Sequence, residues 1–156
     1  MEVRRKDREI NLEESKELLQ RAGVGILSTV DEEGQPYGVP VNYVYEDDTI
    51  YFHCAVEGHK LINIKKNNRV CFTVYGENNV LAEKFTTTYE SVVVFGRAKV
   101  VEEAEKLQAL KLLVGKFSPD FMKEGLEYIE RAANRTLVVK ISVDQMTGKR
   151  NNPHKK

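Results

Sequence analysis

The sequence predicts a mainly β fold with peripheral helices: a six-stranded antiparallel barrel, closed or nearly closed, in one domain spanning residues 1–156. Three observations predict it. Six apolar runs have the length and composition of strands. The first three are joined by only a few turn-forming residues, which is hairpin spacing and leaves no room for a parallel crossover. The helical segments stand between groups of strands rather than after each one, so an alternating βαβ sheet does not fit. Closure into a barrel also removes exposed strand edges.

Each element has a local reason. In "NLEESKELLQRAG" (11–23), Asn11 is a helix N-cap and Glu14 completes a capping box. Leu12, Leu18, Leu19 and Ala22 share a face, and Gly23 stops the helix. "VGILSTV" (24–30) is the first strand, and "DEEG" (31–34) turns the chain. The second strand (35–46) alternates Val39, Val41, Tyr43 and Tyr45 against Pro40, Asn42 and Val44. "TIYFHCA" (49–55) is the third. A short helix follows (57–68), with Leu61, Ile62 and Ile64 expected to face inward. "RVCFTVYG" (69–76) is the fourth strand; 77–90 has no clean period and reads as a loop with a partly ordered end. The fifth strand (91–102) contains Gly96, which marks a bend or bulge. The helix over 102–117 presents Leu107, Leu110, Leu113 and Val114 on its apolar side. The next (118–134) opens with Ser118 as N-cap and Pro119 at the first helical position, and Gly125 weakens its middle. The sixth strand (136–149) leads into a basic tail from about residue 149.

Composition narrows the function. Twenty-four basic residues balance twenty-four acidic ones, and a dedicated nucleic-acid binder normally carries a net basic bias. The basic segments at 4–8 and 148–156 read as solvated termini. There is no run of ~20 apolar residues and no signal core, so the expected location is the cytoplasm. Cys54 and Cys71 lie in strand-like runs and read as buried, reduced thiols. No Gly-rich phosphate loop, HExxH helix, paired-cysteine metal motif or nucleophile elbow occurs, and the histidines are only His53, His59 and His154. Hydrolase and metalloenzyme chemistries have little support.

Two places carry chemical interest. Pro40 cannot donate to a ladder, so it marks either a barrel corner or a backbone turned toward a ligand. In "EGHK", Gly58, His59 and Lys60 fall at the first turn of a helix, where unpaired N–H groups and partial positive charge suit a phosphate. The plainer alternative is a solvated lysine and a structural histidine. His53 alternates to the face opposite Phe52 and Cys54; it is either a buried, hydrogen-bonded histidine or part of the same ligand site.

The segments "GVPVNYVYEDDTIYFHCAVEGHKLINIKKNNRVCFTV" and "EKFTTTYESVVVFGRAKVVE" resemble the pyridoxamine 5′-phosphate oxidase-like flavoproteins, most of all their nitroimidazole-resistance branch. The resemblance runs from "RRKDREI" to about "MTGK". It implies an FMN-binding split β-barrel, a homodimer with FMN at the subunit interface. It implies ring contacts from Val39, Pro40, Val41 and Asn42, largely through backbone. It brings Phe52 and His53 to the border of the flavin, and gives the FMN phosphate to Gly58, His59 and Lys60. Glu90, Ser91 and Val92 are carried over as further flavin neighbours. The expected activity is FMN-dependent reduction of a nitroaromatic or quinone-like acceptor, with His53 touching the acceptor or delivering a proton. Departures are visible. The cationic C-terminal residues with which relatives read a pyridoxal-type substrate have no counterpart, which weakens vitamin B6 oxidation. Many relatives also carry Ser or Arg where this chain has Gly58 and His59. The competing readings are a non-catalytic flavin or haem module and a deazaflavin-dependent reductase.

Overall fold

The protein is described by a computed structural model covering residues 2–152. Strand β1 (Glu9–Ile10) and helix α1 (Leu12–Arg21) open the chain, followed by β2 (Val24–Val30), β3 (Pro36–Asn42), β4 (Val44–Glu46) and β5 (Thr49–Ala55). Helix α2 (His59–Lys66) leads into β6 (Arg69–Tyr75), β7 (Asn79–Leu81) and the long β8 (Thr86–Val101). Helices α3 (Glu103–Phe117) and α4 (Met122–Ala132) precede the last strand, β9 (Thr136–Asn151).

The main path of the sheet runs β3-β2-β6-β8-β9-β5-β4, and every pairing is antiparallel. β3 and β4 stand at opposite ends of this path, yet only Tyr43 separates them in the chain. A sheet whose two ends are joined by one residue must curl until they meet. The result is the expected barrel, split along the line where β3 pairs with β2 alone and the second half of β5 pairs with β9 alone. Tyr43 pins the seam. It is fully buried, its hydroxyl donates to the Leu19 carbonyl at 2.6 Å, and its ring meets Phe72 edge-on at 5.0 Å.

Inside the barrel, Leu27, Ile50, Phe52, Phe72, Val74, Val92, Val94 and Ile141 are fully buried. Each such side chain contributes about 1.5–3 kcal/mol on leaving water. Leu18 and Leu19 of α1 and Ile64 of α2 join this core. A second cluster forms outside the barrel, where Ala109, Leu110 and Leu113 of α3 and Ile129 of α4 pack on Val44 and Val138. Gly125 lets the two helices close: a Cβ there would overlap the Val114 side chain. The glycine that weakens a helix in isolation is the one that permits its packing.

Several expectations change. Six predicted runs become nine strands among the described residues, because the second divides at Tyr43 and the short β1 and β7 are added. Residues 77–90 are not simply a loop: β7 pairs with the start of β8, which begins at Thr86. Ser118 makes no side-chain cap; Pro119–Phe121 form a 3-10 turn and α4 starts at Met122. Ile62 and Leu107 are exposed rather than inward, and Cys54 and Cys71 are half-buried rather than buried. The C-terminal segment is no solvated tail through Asn151, since β9 extends that far and Arg150 pairs with Glu14 at 2.6 Å. His154 lies outside the described residues. The capping box of Asn11 and Glu14 and the irregularity at Gly96 are both present.

Candidate functional site

The split in the barrel is bordered by the sequence-predicted residues of β3, β5 and the start of α2. β3 is an edge strand, the position in which a proline such as Pro40 is tolerated. Its backbone offers unpaired donors and acceptors along the open side. Tyr37, Val39 and Val41 are half-buried, and the two valines pack on the core; Gly38, Pro40 and Asn42 are exposed on the outer face. With their side chains turned to the core, Val39 and Val41 offer the outer side only their backbone. Asn42 is held by a hydrogen bond from its side-chain nitrogen to the Gly23 carbonyl at 3.1 Å.

Across the split, β5 alternates as its sequence dictates. Phe52 is fully buried in the core, so its side chain reaches no ligand from outside. His53 is exposed on the outer face, which removes the buried-histidine alternative. Asn42 and His53 meet in a cavity of about 350 Å³. Its other walls come from α3 (Leu110, Leu113, Val114, Phe117) and α4 (Tyr128, Ile129, Ala132), with Thr136 of β9 beside them. Sequence reasoning missed these helical walls, because the stripe that lines them reads as ordinary core-facing surface.

Just past β5, Gly58 caps α2 with φ 147° and ψ 161°, a conformation that favours glycine. Nothing lies within 4 Å of the position a Cβ would take, so space for a ligand is open there. Its carbonyl accepts from the N–H groups of Leu61 and Ile62 at 3.0 and 3.3 Å, which starts the helix and leaves the His59 and Lys60 N–H groups ahead of the helix's own ladder. The His59 ring packs edge-on against Tyr37 at 4.8 Å, tying the helix start to β3. Lys60 is half-buried, and its charge is felt at Cys54, whose thiol pKa is pushed up by burial and partly lowered again by that lysine.

Glu90, Ser91 and Val92 lie elsewhere within one chain. Val92 is in the core. Glu90 is bound to Arg21 and Arg150 and lines a different cavity with Glu14 and Glu17. Of the three, Ser91 alone keeps its side chain half-exposed on the outer face. That face has an unusual make-up. Pro40, Ile26, Thr73, Val93 and Thr147 are cross-strand neighbours in one row, and Gly38, Ser28, Cys71, Phe95 and Gln145 form the next. An open cleft of about 500 Å³ runs along the second row.

Among the described residues, no helix is long and apolar enough to cross a membrane, and no group of three His, Cys, Asp or Glu side chains could hold a metal ion.

The profile of the pyridoxamine 5′-phosphate oxidase family matches residues 11–150. A solved structure described as a candidate 5-nitroimidazole antibiotic resistance protein from Bacteroides thetaiotaomicron is 30% identical, with TM-score 0.78, over 90% of this chain and 85% of that one. An FAD-binding protein from Mesorhizobium loti is 23% identical with TM-score 0.64, over 93% and 98%. An FAD- and haem-binding protein from Mycobacterium smegmatis is 17% identical with TM-score 0.75, over 91% and 72%. These last two show a shared fold. A search among functionally curated proteins returned no match. The chain belongs to the pyridoxamine 5′-phosphate oxidase family, and within it to the nitroimidazole-resistance branch.

Proposed function

We propose that the protein is an FMN-dependent oxidoreductase that acts as a homodimer on small neutral aromatic acceptors, nitroaromatic or quinone-like. The observation that carries this is the start of α2: a glycine-only turn with open space, His59 braced by Tyr37, and a half-buried Lys60. That donor set fits a phosphate dianion. The fit extends to the ring, because the unpaired edge of β3 offers alternating N–H and C=O groups to an amide-like heterocycle edge. Bound FMN supplies the redox chemistry. The chain's own residues do the rest. Lys60 and the first-turn N–H groups fix the phosphate, and the β3 backbone orients the ring. An imidazole nitrogen of His53 faces the acceptor side, where it can donate a hydrogen bond or a proton.

The dimer is supported by the outer face of β3, β2, β6 and β8. An outward sheet face in water normally alternates to polar residues. Here Ile26, Val93 and Phe95 stand beside Gly38, Ser28 and Thr73, a mostly uncharged surface continuous with the proposed ring site. A second copy on this face would bring its own Ser91 toward the flavin.

The test is reconstitution of the apoprotein with FMN and with riboflavin, which lacks the phosphate. One FMN per chain, with riboflavin much weaker, is the expected result. Equal affinity for the two removes the phosphate site. Haem uptake with a Soret band and no flavin binding replaces the reading with that of a haem module.

A further inference from the structure

The cavity between α3, α4 and the barrel has features that the flavin reading does not require. In a chain that is 31% charged, none of its lining residues is Asp, Glu, Lys or Arg. Leu110, Leu113 and Ile129 line it from the second apolar cluster, which otherwise packs closely. Two aromatic rings stand exposed among its lining residues, Phe117 at 42% and Tyr128 at 66%. The polar groups are few and uncharged by type apart from the His53 ring: the hydroxyls of Ser118, Tyr128 and Thr136, and the Asn42 side-chain oxygen left over once its nitrogen is bound to Gly23. Small-molecule sites have this make-up, apolar walls with a few placed polar groups, at volumes of about 300–1,000 Å³.

Resting on the FMN reading above, we propose that this α3–α4 pocket is the acceptor site, and that its ligand is a neutral, planar aromatic carbonyl compound of the naphthoquinone class. The absence of charged lining excludes anions and cations as preferred ligands, since an unpaired charge would be desolvated there. The exposed Phe117 and Tyr128 rings suit stacking on a flat ligand. A carbonyl oxygen suits the donor that His53 provides. The reaction would balance in these terms: with FMN held beside the pocket and reduced by an external hydride donor of the nicotinamide class, the flavin would supply a hydride and His53 would pass one proton, and the quinone would leave as the hydroquinone. The reducing equivalents enter through the flavin.

The chain contains no tryptophan, so Phe117→Trp places a single reporter in the pocket wall. The apoprotein and the FMN-loaded form of this variant are titrated with 1,4-naphthoquinone and, separately, with benzoate, while FMN affinity is measured in parallel. Saturable quenching by naphthoquinone but not by benzoate is expected. Adding Ala132→Phe, which fills the pocket, should abolish the quenching and leave FMN affinity unchanged. Adding Ala133→Leu, at a half-exposed position less prone to misfolding, should weaken it about tenfold, the cost of crowding the site. Unsaturable quenching, equal quenching by benzoate, or quenching unaffected by both filling variants overturns the proposal. Naphthoquinone saturation in a protein that fails to bind FMN overturns its redox role and the flavin reading while retaining the pocket. FMN binding without naphthoquinone saturation overturns the pocket alone.

Discussion

Lys60→Ala and Lys65→Ala remove the same charge from the same short helix, yet only the first should weaken FMN. Lys60 lies in the first turn of α2 and is half-buried, whereas Lys65 is exposed in the last turn. Five residues of helix separate them by about 7.5 Å along the axis. A phosphate in contact with Lys60 at ~4 Å would feel a gross attraction of about 4 kcal/mol at an effective dielectric of ~20. The added distance cuts that attraction to about a third for Lys65, before water and salt screen it further. The net value of a hydrogen bond to a charged partner is about 1.5–3 kcal/mol. Lys60→Ala should therefore raise the Kd for FMN about 10- to 150-fold, and Lys65→Ala less than about threefold. Flavin fluorescence titrations at low and physiological salt measure both. Urea unfolding of the apoproteins separates affinity from stability. Equal losses in the two variants, or full affinity in Lys60→Ala, would refute the phosphate assignment.

Further expectations concern the scaffold and the assembly. Tyr43→Phe strands the buried Leu19 carbonyl and should cost about 1–3 kcal/mol, read as a lower urea midpoint at unchanged m. Gly125→Ala should lower the Tm: a gain of about 1 kcal/mol in helix propensity is outweighed by a Cβ forced against Val114, and a raised Tm would contradict the packing. Thr73→Arg, in the middle of the outer apolar row, should yield monomers by light scattering and reduce FMN affinity with them. Burial raises the phenol pKa of Tyr43, Tyr45 and Tyr51, the last to about 12 with help from its bond to Glu105. The folded state keeps these protons where the unfolded chain, titrating near pH ~10, has lost them. Their contribution is complete below pH ~10 and is lost as the pH rises through the folded-state values. Alkaline titration should show tyrosine ionisation coinciding with unfolding, and normal titration of all the tyrosines before unfolding would contradict it.

How much was legible depends on how local each signal is. Asn11 with Glu14 is complete within four residues, and the capping box forms as read. The irregularity at Gly96 was marked by one residue type. The division of the second strand at Tyr43 was not legible, because Tyr43, Val44 and Tyr45 are all buried. The first is buried by the barrel core and the second by the helices outside, and two-sided burial erases alternation. Residues 86–90 read only as the partly ordered end of a loop, since threonines give no apolar period, and they prove to be the start of β8. Within the site, the alternation that turns His53 outward also turns Phe52 inward, into the core. The helical walls of the acceptor pocket were beyond reach. Leu110, Leu113 and Ile129 carry the pattern of any core-facing stripe, and only tertiary packing leaves a cavity beneath them.

The most direct measurement is the identity of the cofactor carried by the protein as purified from its native cell. Denaturation releases the group, and chromatography with mass measurement names it. The account predicts FMN, equimolar with the chain. A deazaflavin, haem, or no bound redox group at all would contradict it.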